Sequence, residues 1–164
     1  LWAYNVGDTV EFISLKPFRI IVTGRIKHFI SAFGEHVIGK EVEHAMQEAT
    51  KSFNLNMTEF TVAPKLNPIK GLPYHEWFIE FGHTPNNIHE IEAFIDQSMQ
   101  KQNSYYFDLI KGKVLQPLKI NIVEKDGFNK YMSKIGKLGG QNKIPRLAND
   151  RKIADILTKS IKAN

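Results

Sequence analysis

The chain has no cysteine. Disulfides and cysteine-held metal sites are therefore excluded, and the composition fits a reducing cytoplasm. No apolar run approaches the roughly 20 residues needed to cross a bilayer. The amino terminus, LWAYNVGDTV, lacks the basic start and apolar stretch of a secretion signal. It also lacks an initiator methionine, so the expectation is a fragment of a longer protein. The histidines are scattered, with no ligand spacing to a partner carboxylate, and no metal site is expected. His75 and His83 read as structural. Neither a Gly-x-Ser-x-Gly elbow nor a triphosphate-binding glycine loop occurs. A freestanding hydrolase or kinase is thereby disfavoured.

What remains is ordinary globular material. At 164 residues and 42% hydrophobic content, the chain can build one domain, or one domain with an appendage. The net charge of +5 is unevenly spread. Lys125, Lys130, Lys134, Lys137, Lys143, Arg146, Arg151 and Lys152 crowd the last third. A solvated basic surface or an anionic partner would explain this. A basic nucleic-acid-binding module is the reading from another class. Against it, no nucleic-acid motif is present and aromatic residues are not interleaved with the basic ones. Nucleic acid and membrane are not expected partners.

Hydropathy patterning predicts an α+β fold, a small mixed sheet with helices packed on it, preceded by a β-hairpin. GDTVEFISLKPFRIIVTGR reads as two strands around a short loop at Leu15–Pro17. From Gly39, Val42, Ala45, Met46, Ala49 and Phe53 follow helical spacing. EFTVAP and YHEWFIEF read as strands separated by KLNPIKGLP. A second helix carries Ile88, Ile91, Ile95 and Met99, with Asn87 and Glu90 as a capping box. VLQPLKINIV is a strand in which Pro117 marks an edge or a start. A helix through Phe128, Tyr131, Ile135 and Leu138 follows, then the loop GGQNKIPR. Asn149 or Asp150 can cap a last helix carrying Ile153, Ile156, Leu157 and Ile161.

Three segments hold polar residues that packing does not require. In YNVGD, Asp8 follows a turn glycine at a strand start, where a carboxylate can accept two hydrogen bonds from a vicinal diol or can simply close a turn. In TGRIKHFISAFGEHV, Arg25 is a guanidinium fork suited to phosphate or ribose oxygens, or else an edge-strand arginine. In GGQNKIPR, Lys143 is a point charge on a glycine-flanked loop, or a linker lysine.

Taken in this order and spacing, the segments resemble the carboxyl-terminal region of adenylate-forming enzymes. That superfamily includes acyl-CoA synthetases, peptide-synthetase adenylation domains and luciferases. Its pattern runs Gly-Asp, Gly-Arg, a Lys or Asp hinge, an apolar strand, Gly-Glu, Val, then Glu-x-Glu opening a helix. Gly34-Glu35, Val37 and Glu41-Val42-Glu43 fall in register with it. Within the superfamily, GFNKYMSKIGKLGGQNKIPRL is similar to the ending of the plant auxin-responsive acyl-acid amido synthetase family and its bacterial relatives. That ending runs Gly-x-Phe, a helix, then Gln-Tyr-Lys-x-Pro-Arg. Asn142 stands where Tyr is usual, and Ile144 where the plant enzymes often have Thr.

The resemblance implies the carboxyl-terminal part of an ATP-dependent ligase, inactive alone. Residues 1–26 would be the last hairpin of a large adenylating domain, and 27–164 the mobile small domain. A carboxylate attacks the α-phosphate of ATP, giving an acyl-adenylate and pyrophosphate; an amine or amino acid then attacks the acyl carbon. Asp8 and Arg25 would bind the nucleotide, and Lys27 would be the hinge. Gly34 would mark a turn facing the active site in the second half-reaction. Lys143 would reach the α-phosphate, with Lys134 and Lys137 in SKIGKLGG as a rival register. ATP with Mg2+ would be held mainly by the missing amino-terminal domain of the same chain, with a small carboxylic acid and an amine as the other substrates. A thioester ligase with coenzyme A as acceptor is the alternative within the superfamily.

Overall fold

The computed structural model describes residues 7–25, 29–137, 139 and 142–161. Strands β1 (Asp8–Leu15) and β2 (Phe18–Arg25) form the expected antiparallel hairpin. Its apolar residues are not covered: Val10, Phe12, Leu15, Phe18, Ile20 and Val22 are all exposed. Two short strands follow, β3 (Phe29–Ile30) and β4 (Val37–Ile38), paired antiparallel across a loop.

Helix α1 (Gly39–Ser52) buries Val42, Ala45, Met46 and Ala49, the face its spacing predicts. Glu41, in its first turn, accepts from the Ile38 N–H at 2.9 Å and so supplies one half of a capping box. The central sheet is β5 (Met57–Lys65), β6 (Tyr74–Phe81) and β7 (Lys119–Val123), in the order β5-β6-β7. β5 and β6 are antiparallel, β6 and β7 parallel, so the sheet is mixed as expected. β7 lies at an edge of this sheet and is shorter than VLQPLKINIV: it begins at Lys119, so Pro117 precedes the strand and is neither its edge residue nor its first.

β6 is buried from His75 to Phe81 because both sheet faces are covered. Trp77 and Ile79 join a core with α1 and with α2 (Ile88–Gln102). Phe78, on the opposite face, joins a second core with α4 (Gly127–Lys134) and α5 (Lys152–Leu157), which runs into a 3-10 turn at Thr158–Ser160. Among the described residues, no helix is long and apolar enough to cross a membrane.

Four further local features differ from the sequence reading. Helix α3 (Ser104–Lys111) was not anticipated; Asn103 caps it by accepting from the Tyr106 N–H at 2.8 Å. Asn87 and Glu90 do not form a capping box; their side chains bond each other at 3.0 Å. Helix α4 ends at Lys134, leaving Ile135 as an exposed cap residue, and Leu138 lies outside the described residues. Arg151, not Asn149 or Asp150, occupies the cap position of α5, although Asp150 still accepts from the Lys152 N–H at 3.1 Å.

Candidate active site

Asp8 opens β1 and Arg25 closes β2, and the hairpin register pairs them directly. The two nucleotide candidates, separate in sequence, are thus neighbours across one antiparallel ladder. Lys27, the hinge candidate, lies outside the described residues.

Gly34 sits on the loop between β3 and β4 with φ +90°, and no atom lies within 4 Å of where a Cβ would be. The requirement for glycine here is therefore one of backbone conformation, not space. The loop is tied down from beneath by a buried polar network. Glu35 is completely buried, and its carboxylate accepts from the Phe33 N–H at 2.8 Å. The other carboxylate oxygen lies 3.0 Å from Nε2 of buried His75 on β6. Asn103 donates to the Glu35 carbonyl at 3.0 Å and to the Glu41 carboxylate at 3.2 Å.

The network extends through the core. His75 stacks on Tyr106, ring centroids 5.2 Å apart. The Tyr106 hydroxyl donates to Asp96 at 2.6 Å, and Asp96 also accepts from the Leu118 N–H at 3.1 Å. Burial pushes the Glu35 carboxyl up. The His75 hydrogen bond, backbone N–H groups and the His75 charge pull it down by more, so its pKa falls below the usual carboxylate value. Burial, then the Asp96 carboxylate, raise the Tyr106 phenol well above its usual value, and it stays a donor. His75 is structural, as expected, but His83 is exposed on the loop after β6.

Lys143 is exposed, at the start of a segment fastened along the outer edge of β5. The Val62 N–H donates to the Arg146 carbonyl at 2.9 Å, and the Ala148 N–H to the Val62 carbonyl at 3.1 Å. Thr61 donates its hydroxyl to the Pro145 carbonyl at 2.7 Å. Arg146 pairs with Glu59, reaches Glu43 at 3.3 Å and lies over the Phe60 ring, 4.7 Å from its centroid. Ile144 and Leu147 are buried on either side. The lysine thus precedes a hydrogen-bonded segment and borders a cleft of about 190 Å³ between β5 and α4, which Glu59, Glu80, Asn129 and Asn142 also line.

The rival lysines sit elsewhere. Lys134 is the last residue of α4, and Lys137 belongs to the turn that ends it, its N–H donating to the Met132 carbonyl at 2.9 Å. The structure therefore pairs Asp8 with Arg25 in the hairpin register, and places Gly34, Lys143 and the α4 end that carries Lys134 and Lys137 apart from one another in the chain. Glu35, His75 and Asn103 are the residues that sequence reasoning missed as a site. Their spacing carries no motif; only the pairing of Gly34 with Glu35 hinted that the turn was anchored. Among the described residues no group of three or more His, Asp or Glu is arranged to hold a metal ion.

Comparison with known proteins gives the context. No curated protein matches the chain. A solved structure of "GH3.15 acyl acid amido synthetase" is 20% identical, with a TM-score of 0.75 over 96% of this chain. "AtGH3.15 acyl acid amido synthetase in complex with 2,4-DB" is 19% identical, with a TM-score of 0.73 over 96% of this chain. This chain spans 31% and 30% of those two chains, and at such identity the likeness speaks for the fold. Residues 40–152, from the first turn of α1 to the start of α5, match the model of the GH3 family C-terminal domain, and by that match the chain belongs to the GH3 family.

Proposed function

We propose that this chain is the carboxyl-terminal part of an ATP-dependent acyl-acid amido synthetase that works in the cytoplasm. The observation that carries the reading is the match of residues 40–152 to the GH3 C-terminal domain. The uncovered hairpin supports a boundary near residue 26. A strand pair that exposes Phe12, Leu15, Phe18 and Val22 would bury them against a larger domain. On this reading residues 1–26 belong to the adenylating domain and 27–164 form the mobile small domain.

Asp8 and Arg25, as register partners, hold the nucleotide's ribose and phosphate region. ATP and Mg2+ are bound mainly by the amino-terminal domain, which also receives the carboxylic acid. Lys143 approaches the α-phosphate as the carboxylate attacks. Its ammonium stabilises charge that develops in the transition state, and the fastened segment behind it keeps the reorganisation small. Rotation about Lys27 then removes Lys143 and presents the Gly34 turn, where an amine or amino acid attacks the acyl-adenylate and AMP leaves.

The test is pyrophosphate exchange by the full-length protein across a panel of carboxylic acids. Product formation is then followed with amino acids, other amines and coenzyme A as acceptors. Acid-dependent exchange followed by amide formation is expected. Thioester formation in place of amide would assign the chain to a coenzyme A ligase. Absence of exchange with every acid would refute adenylation.

A further inference from the structure

The loop that carries Gly34 displays a residue the scheme above leaves without a task. His36 follows Glu35 and precedes Val37, and both neighbours are completely buried, while His36 itself is exposed. Its backbone lies in the left-handed region at φ +48°. Histidine is among the few non-glycine residues that visit this region, but the conformation is still unfavourable and must be held by its surroundings. Here it is held on both sides. Asn103 grips the Glu35 carbonyl at 3.0 Å, and Val37 pairs with Ile30 in the β3–β4 ladder.

The ring is oriented as well. Ser31 Oγ lies 3.0 Å from Nδ1 of His36, and the Ser31 N–H donates to Asn149 at 3.2 Å. Tyr105, itself exposed, meets the imidazole edge to face at 6.1 Å. One ring nitrogen is thus engaged by a hydroxyl that can accept from Nδ1–H, the arrangement in which Nε2, at the opposite edge of an exposed ring, carries the free lone pair. A base, a group that orients it, and a constrained backbone that aims it are the parts of a proton acceptor.

We propose that His36 is the general base of the amide-forming half-reaction. This rests on the amido synthetase reading, in which the Gly34 turn faces the acyl-adenylate. The incoming ammonium gives one proton to Nε2 of His36, the freed amine nitrogen forms a bond to the acyl carbon, and the proton left surplus by that bond passes to solvent. The carbon–oxygen bond to phosphate breaks, AMP departs with the electron pair, and the imidazolium releases its proton to solvent.

The experiment uses the full-length enzyme with the acid selected by the exchange assay. It compares an amino acid with hydroxylamine as acceptor. Hydroxylamine is already neutral at neutral pH and strongly nucleophilic, so it reports adenylation without demanding a base. His36→Gly relaxes the left-handed backbone and removes the ring; His36→Asn keeps a residue that tolerates the backbone and removes the base. Pyrophosphate exchange and hydroxamate formation should stay near wild type, while single-turnover transfer to the amino acid falls by about 100-fold or more in both variants. Added imidazole should restore transfer in His36→Gly, a response no packing role would produce. The proposal is overturned if His36→Asn transfers at the wild-type rate. It is equally overturned if the hydroxylamine reaction falls in parallel or imidazole restores nothing. A wild-type enzyme without pyrophosphate exchange would instead refute the amido synthetase reading, and the role of His36 with it.

Discussion

Glu35→Ala is the substitution that most directly tests how the Gly34 turn is held. The carboxylate is completely buried and serves two donors, the Phe33 N–H at 2.8 Å and His75 Nε2 at 3.0 Å. Truncation orphans both, and His75 is itself only 2% exposed. Removing one member of a buried pair costs roughly 3–5 kcal/mol, most of it the desolvation of the partner left behind. At the low end, ~3 kcal/mol lowers the melting temperature of a chain this size by about 6–12 °C. Glu35→Gln keeps the volume and one acceptor oxygen for Phe33, and a tautomer change at His75 can accommodate the new amide. It should therefore cost about 1–2 kcal/mol.

The charge makes the same pair sensitive to acid. Because the folded-state pKa of Glu35 is lowered, its contribution is complete above the unfolded value of about 4.3 and is lost as pH falls through the folded value. The gap between wild type and Glu35→Gln should accordingly be widest near neutrality and close as pH falls through the lowered folded value. Urea unfolding of the 164-residue chain, followed by circular dichroism at several pH values, measures both effects. A loss under ~1 kcal/mol for Glu35→Ala at neutral pH would show that the network is not what anchors the turn.

Four further outcomes are expected. Lys143→Ala in the full-length enzyme should slow adenylation by about two to three decades while amine attack on a preformed acyl-adenylate continues; the same defect in Lys137→Ala or Lys134→Ala alone would move the role to that lysine. Lys27→Pro should split the half-reactions, one falling by orders of magnitude and the other staying within about tenfold, since proline removes the φ freedom a hinge needs; equal loss of both steps in a folded variant counts against the hinge. The isolated chain should unfold cooperatively yet release no pyrophosphate from ATP and mixed acids above a buffer blank. Gly127→Ala would drive a Cβ into Val123 Cγ1 in the second core and should cost about 1–3 kcal/mol, read as a shift in urea midpoint.

Much of the fold was written locally. The helical spacing of Val42, Ala45, Met46 and Ala49 marked α1, and the apolar run around Trp77 marked β6, because burial of one face or of both leaves a periodic trace in the chain. The hairpin was legible in the same way, and so were the residue types at Asp8, Arg25, Gly34 and Lys143. Helix α3 left a weaker trace: it has 8 residues and buries only Tyr106, and its start depends on the Asn103 cap. Periodicity identifies a strand but not its partner, so the parallel pairing of β7 with β6 emerged only when helices α2 and α3 were packed between them in sequence. The same limit applies to the site. Glu35, His75, Asn103 and Tyr106 come from four different elements or loops, and no spacing rule links them. Sequence by itself determined which segments bury apolar surface and which residues carry charge. Tertiary structure alone decided that an acid and a histidine far apart in the chain would share one buried site, and that His36, beside Glu35, would be exposed. Local propensity acts over a few residues, whereas the penalty for an unpaired buried polar group can be relieved by any donor or acceptor the fold brings within reach.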